Sequence, residues 1–543
     1  MSVAPPPPYA EPTNGAYVNW SDNIDENEEY KYSFEIPEKP TPAPAYEDAF
    51  PIETPKYNDV SFTYTFIATL LGLAFLTYNS YKSSSSDIIS FSLNTDGLSK
   101  GTKALYTLVL VSTITPVLIS VSLLILVYCF PMVFLIIGFL LVPLSMFSIA
   151  GTMITQGAVF PSLMFGALGI FSLLFMFQNF NRFSFSALMI KLVVNAMNKY
   201  PSTIFISILS SLITCIISLV YMVSLIIIVN ARITNDDMNC PHTNGNDICL
   251  SNTSSFVILF AIFSGCYIFQ VLQNTVHVIL SGIFSSWYFF DTYDSTVKPK
   301  SPALGSMKRA FTYCFGSICF GSLIVSIIQT IRISLQVLKS KMQNARFQRD
   351  RDNQMDDSGL LFCFLICIVS ILEWIANEFE YWLQWFNRYA YSYLSMYGKP
   401  YYESAKDTFE ILKYKGIDIL INDSLISTAI SLYSILSIII TAVVLQLTIN
   451  FSTLLNEMGP EMLILGGIGS MIICWFIVSS TINVLDVGCV TFMIGLSVDP
   501  DAFTRTNAGT ASDASIQRLQ VWEQMVRYYP GIRERVAIPW PQN

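Results

Sequence analysis

Ten apolar runs, each long enough to cross a lipid bilayer as a helix, recur between residues 60 and 485 and dictate what this chain can fold into. They lie near 60–80, 105–129, 132–154, 159–179, 202–229, 255–290, 310–336, 359–381, 424–448 and 462–485. About twenty apolar residues are needed to span the hydrocarbon core, and a helix satisfies its own backbone there where open strands and loops cannot. The expected fold class is all-α: a polytopic membrane helix bundle with about ten transmembrane helices. The 255–290 run is long for one straight crossing, so it either tilts strongly or breaks near Ser281-Gly282. Charge is scarce in keeping with this: 13% of residues are charged, against about a quarter in soluble domains.

The first 56 residues are different. They hold eleven prolines and eleven acids against Lys31, Lys39 and Lys56, a net of −8 out of −9 for the whole chain. Such a segment cannot bury enough apolar surface to fold, and reads as a disordered, Pro-rich, acidic tail. It lacks the basic and apolar pattern of a signal peptide, so insertion falls to the first span and the tail is expected in the cytosol. Pro6-Pro7-Pro8-Tyr9 within it matches the PPxY ligand of WW domains, which grip a preformed polyproline II turn. The expected partner is a WW-domain ubiquitin ligase controlling endocytosis; a chance match is the bland alternative. The rest of the chain is near neutral, which excludes nucleic-acid binding.

Charge also orients the spans. Lys191 and Lys199 follow the fourth, and Lys298, Lys300, Lys308 and Arg309 follow the sixth; the positive-inside rule puts both loops in the cytosol. Ten spans then return the C-terminus to the cytosol, with 83–104, 230–254 and 449–461 outside. The expected domains are the tail at 1–56, a membrane domain at 57–500 and a cytosolic tail at 501–543, with a short helix near 515–527. One segment opposes the scheme: 337–358 is assigned outside yet carries Lys339, Lys341, Arg346, Arg349 and Arg351. A re-entrant 310–336 with an interfacial 359–381 would give eight crossings instead. The polar-aromatic stretch 385–423 has Ala405, Phe409 and Leu412 at helical spacing, and is read as an amphipathic helix on the cytosolic surface.

Asn252-Thr253-Ser254 is an N-glycosylation acceptor, and Cys240 and Cys249 beside it are placed to pair in an oxidising compartment. Most other cysteines sit in apolar runs as small packing residues. With no CxxC and only His242 and His277, no metal site is expected. Nor does GxxxxGK[ST], HExxH or GxSxG occur, so no cofactor, ATP-driven cycle or enzymatic activity is expected.

Several blocks in one order carry a resemblance. SMKRAFTYCFGSICFGSLIVSIIQTIR within 298–332, HVILSGIFSSWYFF at 277–290 and NRYAYSYLSMYG at 387–398 resemble the choline transporter-like family. ESAKDTFEIL at 403–412, INDS at 421–424 and VDP at 498–500 fit the same pattern. PKYND at 55–59, after a proline-rich tail, resembles the fungal branch named for growth sensitivity at pH nine. The chain departs from animal members at 83–104, which is short where they carry a large glycosylated domain. The resemblance implies plasma-membrane transport of a small solute, choline or a related organic cation.

The candidate substrate-binding residues follow from what a quaternary ammonium needs: a carboxylate beside aromatic faces. Glu373 is flanked by Trp374, with Glu378, Glu380, Trp382 and Trp385 close behind; Trp287, Tyr288 and Tyr313 are further aromatic candidates. The bland reading makes them interfacial anchors. His277 is read as a packed histidine or a proton relay, Asp486 as a residue at headgroup depth, and Ser317 and Gly321 as a close helix contact or a broken, solute-touching helix. The functional expectation is a secondary transporter or facilitator; the rivals are a non-transporting scaffold or receptor working through its tail and, disfavoured by the missing motifs, a polytopic membrane enzyme. If 230–254 is extracellular, glycosidase should shift the wild type on a gel and leave Asn252→Gln unmoved. A wild type that never shifts would remove the glycan.

Overall fold

The computed structural model describes residues 56–83, 100–178, 180–237, 252–290, 301–351, 358–451, 460–498 and 523. The disordered-tail reading, Pro6–Tyr9, the Cys240–Cys249 pair and the 515–527 helix, apart from residue 523, lie outside the described residues. Among the described residues the chain is all-α. Its helices are α1 (Val60–Ser83), α2 (Lys100–Cys129), α3 (Pro131–Thr155), α4 (Val159–Gln178), α5 (Phe180–Lys199) and α6 (Ser202–Asp237). Then follow α7 (Asn252–Phe290), α8 (Pro302–Phe311), α9 (Phe315–Arg351), α10 (Ser358–Tyr397), α11 (Tyr401–Phe451) and α12 (Pro460–Val498).

Nine of the described helices, all but α5, α8 and α10, are long and apolar enough to cross a membrane. Their outward faces carry Leu71, Ile114, Phe160, Phe171 and Val220, all exposed, as expected where lipid is the solvent. The tenth expected span, 359–381, is the first half of α10. It too turns apolar side chains outward, Phe364, Ile371, Trp374 and Phe379, but Glu373, Glu378 and Glu380 interrupt its apolar run. Its path is set by α9: Lys339 pairs with Glu373, Arg332 with Glu380, and the Tyr391 hydroxyl with the Ile318 carbonyl. These contacts run in antiparallel order, so α10 lies alongside α9. Phe315–Arg351 is one continuous helix, preceded by a turn at 312–314. Residues 337–351, expected in an outer loop, extend α9 as helix.

At the centre is α12. Its span is 69% buried within the protein, whereas that of α1 is 11% buried. Small residues make this possible, because close approach of backbones is what packs helices in lipid. At Gly488 an added Cβ would lie 2.5 Å from Val193 Cγ1 of α5, and at Gly495 it would lie 3.0 Å from the Tyr288 ring of α7. α2, α6, α7, α10 and α11 surround α12.

The 39 residues of α7 make a helix of about 58 Å, roughly twice the hydrocarbon thickness. There is no break at Ser281-Gly282; residues 277–290 are all buried in one continuous helix. Gly282 serves packing instead: its missing side chain admits Ser306 of α8, whose Oγ would lie 2.5 Å from a Cβ there. This half of α7 joins a protein core formed with α5, the end of α10, the start of α11 and the end of α12.

That core corrects two expectations. Residues 180–199 are no loop: Phe183, Phe185, Met189, Ile190 and Val193 of α5 are buried in the core while Lys191 and Lys199 stay exposed. Residues 385–423 form no separate surface helix either. Tyr389, Tyr391 and Leu394 end α10 fully buried, and 401–423 begin the 51-residue α11. The buried face of α11 there is Tyr401, Ser404, Thr408 and Ile411; Phe409, expected on the covered side, is exposed.

Candidate solute pathway

Polar residues on α10 recur at Glu373, Asn377, Glu380, Gln384, Asn387/Arg388, Tyr391/Ser392 and Ser395. Steps of three and four place them on one helix face. The stripe covers 23 residues, about 33 Å from first to last at 1.5 Å rise per residue, close to the thickness of a hydrocarbon core.

Its first part lines an open cleft of about 360 Å³ formed by Asn377, Glu378, Glu380, Tyr381 and Gln384. Glu380 is the hub. Its carboxylate accepts from Arg332 Nε at 2.5 Å and from Gln329 and Gln384 at 3.0 Å each. Tyr381, Trp382, Trp385 and Tyr389 then form a ladder of ring contacts, with centroids 6.1, 6.0 and 4.9 Å apart, leading from the cleft into the core.

Deeper in, α10 meets three other helices. Arg388 Nη1 lies 2.7 Å from both Asp486 oxygens of α12, and Ser427 of α11 donates to Asp486 at 3.1 Å. His277 Nε2 of α7 shares a hydrogen bond with Ser392 at 2.9 Å, and its ring also meets the Arg388 backbone. Ser281 shares one with Ser395 at 2.6 Å and accepts from Thr491 at 2.9 Å. The Tyr401 hydroxyl donates to Asn387 Oδ1 at 2.5 Å. Burial pushes the Tyr401 phenol up to about 12 against the lowering effect of that bond, so it remains a donor. Asn387 Nδ2 is buried with no hydrogen-bond partner among the described residues.

A second, uncharged seam runs up α12. Ser470 bonds Ser112 of α2, Cys474 contacts Thr441 of α11 at 3.2 Å, and Ser207 of α6 donates to the Thr481 carbonyl at 2.9 Å. The two seams join at Asp486 and Thr491. Together they offer a carboxylate, a guanidinium, an imidazole and a row of hydroxyls between packed helices, a lining suited to a small polar or charged solute.

Residues 163–501 match the family described as plasma-membrane choline transporter. The chain belongs to this choline transporter-like family. Protein PNS1 of Debaryomyces hansenii is 31% identical over 98% of both chains, and Protein PNS1 of Candida albicans 30% identical over 99% of both. Protein PNS1 of Saccharomyces cerevisiae is 30% identical, covering 85% of this chain and 84% of its own. The α10 stripe and its ionic partners lie within the family-matched region; Ser112 lies outside it.

The five candidate binding residues do not converge. Trp287 and Tyr288 are buried in the core beside Phe492, with ring centroids 5.2 and 6.1 Å from it. Tyr313 lies against Tyr57 on the turn before α9. Glu373 is neutralised by Lys339 at 2.9 Å, and Trp374, 63% exposed, points out of the bundle. Asp486 is buried and ion-paired with Arg388. Ser317 and Gly321 mark close packing: Gly321 receives Tyr391 and Tyr401. What the sequence reading passed over was the stripe itself, whose spacing was the available signal, and its partners Arg332 and Arg388.

An unpaired charge in an apolar bundle costs several kcal/mol, and deleting one member of a buried pair costs about 3–5 kcal/mol. Asp486→Asn should therefore lower the stability of the purified protein in detergent by about 3 kcal/mol. Adding Arg388→Gln should recover much of that loss by removing the stranded cation. Unchanged thermal unfolding of Asp486→Asn would show that the pair does not hold α10 to α12.

Proposed function

We propose that this protein is a secondary transporter or facilitator that moves a small solute, choline or a related organic cation, across the plasma membrane with both termini in the cytosol. One observation carries the reading: a single helix face, about as long as a bilayer is thick, leads from an open acidic and aromatic cleft to a buried ion pair. A helix that only had to pack would be covered more cheaply by apolar residues, since buried ionic groups contribute little net stability. The name of the family favours transport, and the acids of the cleft favour a cation.

Glu378 is the cleft acid to test, because no ion pair holds it among the described residues. Purified protein in liposomes should take up choline above protein-free vesicles. Glu378→Gln should cost choline uptake about fivefold, the loss of about 1 kcal/mol of partly screened attraction. Uptake of the uncharged isostere 3,3-dimethylbutan-1-ol should respond far less. No protein-dependent uptake of either solute would favour a scaffold or receptor in place of this transport reading.

The tail is assigned to control of abundance. Pro6-Pro7-Pro8-Tyr9 would recruit a WW-domain ubiquitin ligase, so Tyr9→Ala should lengthen residence at the cell surface without changing uptake per molecule. Equal turnover of the two proteins would dismiss that role.

A further inference from the structure

The four residues before α1 make contacts that starting a helix does not require. The Asn58 backbone N–H donates to the Tyr313 carbonyl at 3.1 Å, and Asn58 Nδ2 donates to the Gly398 carbonyl at 2.7 Å. Asp59 Oδ2 accepts from Ser317 Oγ at 2.6 Å and from the Tyr401 backbone N–H at 3.1 Å. The Tyr57 ring lies 5.0 Å from that of Tyr313. Three separate elements thus meet on one tripeptide: the α8–α9 turn, the first turn of α9 and the link from α10 to α11.

The fit is specific. Asp59 holds a φ of 54°, where a residue with a side chain is uncommon. Gly316 is required opposite it, because a Cβ there would run into the Asn58 and Asp59 carbonyls. Gly398 turns the link at a φ of 64°. The Asp59 carboxylate lies at the N-termini of both α9 and α11, where free N–H groups and the helix dipoles favour a negative charge. Tyr401 then connects it to the pathway: its N–H binds Asp59 while its hydroxyl binds Asn387 in the middle of the α10 stripe.

The geometry points to Tyr57-Asn58-Asp59 as a latch that holds the α10–α11 end of the bundle closed, so that its release lets Tyr401 and Asn387 move apart. Asp59 acts as a positioning residue, tying the start of α11 to the start of α9 and touching none of the stripe directly.

Cys314 reports on the latch without reference to transport. It adjoins Tyr313 and is buried, with its thiol pushed up to about 11 by that burial. In purified full-length protein, a bulky maleimide read by peptide mass spectrometry should label wild-type Cys314 slowly. Asp59→Ala should speed that labelling about tenfold by removing two hydrogen bonds; Asp59→Asn, which keeps an acceptor, should fall between. Buried Cys215 and Cys474 should keep their wild-type rates. Wild-type labelling of Cys314 in Asp59→Ala would overturn the latch, as would a parallel rise at all three cysteines, which would mean general loosening. Should Asp59→Ala not fold, Asn58→Ala and Tyr57→Ala carry the same test, and wild-type rates in both overturn it. The flux consequence rests on the transport reading: if choline uptake fails while Cys314 responds, the latch stands and that reading falls.

Discussion

The Arg388–Asp486 pair joins α10 to α12 in a part of the bundle that neither charge could occupy alone. A lone charge among apolar helices costs several kcal/mol, so each partner fixes where the other can be. Ser427 extends the constraint to α11 through the same carboxylate, and His277, bonded to Ser392 and the Arg388 backbone, extends it to α7. Four helices are thereby held in one register. The small residues of α12 then let its neighbours close around it, which is why the most buried span also carries one of the few buried carboxylates.

Not all the polar contacts are equally firm. Ion pairs lie along α10, whereas the upper part of α12 is met by hydroxyls and a thiol. Interhelical hydroxyl bonds in membrane proteins average only about 0.6 kcal/mol, far less than the cost of splitting a buried ion pair. α11 takes part in both sets of contacts, through Ser427 at Asp486 and through Thr441 at Cys474.

Sequence reasoning reached the spans because twenty consecutive apolar residues have one physical explanation in a long chain. It missed α5, since Arg182, Lys191, Lys199 and several asparagines give 180–199 the look of a loop. Lys191, Asn198 and Lys199 lie on a face that the core leaves open, while Phe183 packs on Phe139 of α3 and Val193 on Gly488 of α12. The polar-aromatic stretch after 385 misled for the same reason: its tyrosines are buried by neighbours distant in sequence, Tyr389 meeting Met493 and Tyr391 meeting Ile318. Part of the pathway was legible in the alternation of three and four between Glu373 and Ser395. What could not be read was that Glu373 is already paired with Lys339 and Glu380 with Arg332, which leaves Glu378 of the cleft with no ion pair among the described residues.

The sequence by itself determined that this is an all-α membrane protein of the choline transporter-like family, because hydrophobic length and local motifs are properties of contiguous residues. Only the tertiary structure decided which polar groups face one another. A carboxylate's role depends on whether a cation from a distant helix reaches it, and that distance is set by packing. Hence Asp486 became the anchor of α10, Glu373 one half of a closed pair, and Asp59 the tie between two helix starts.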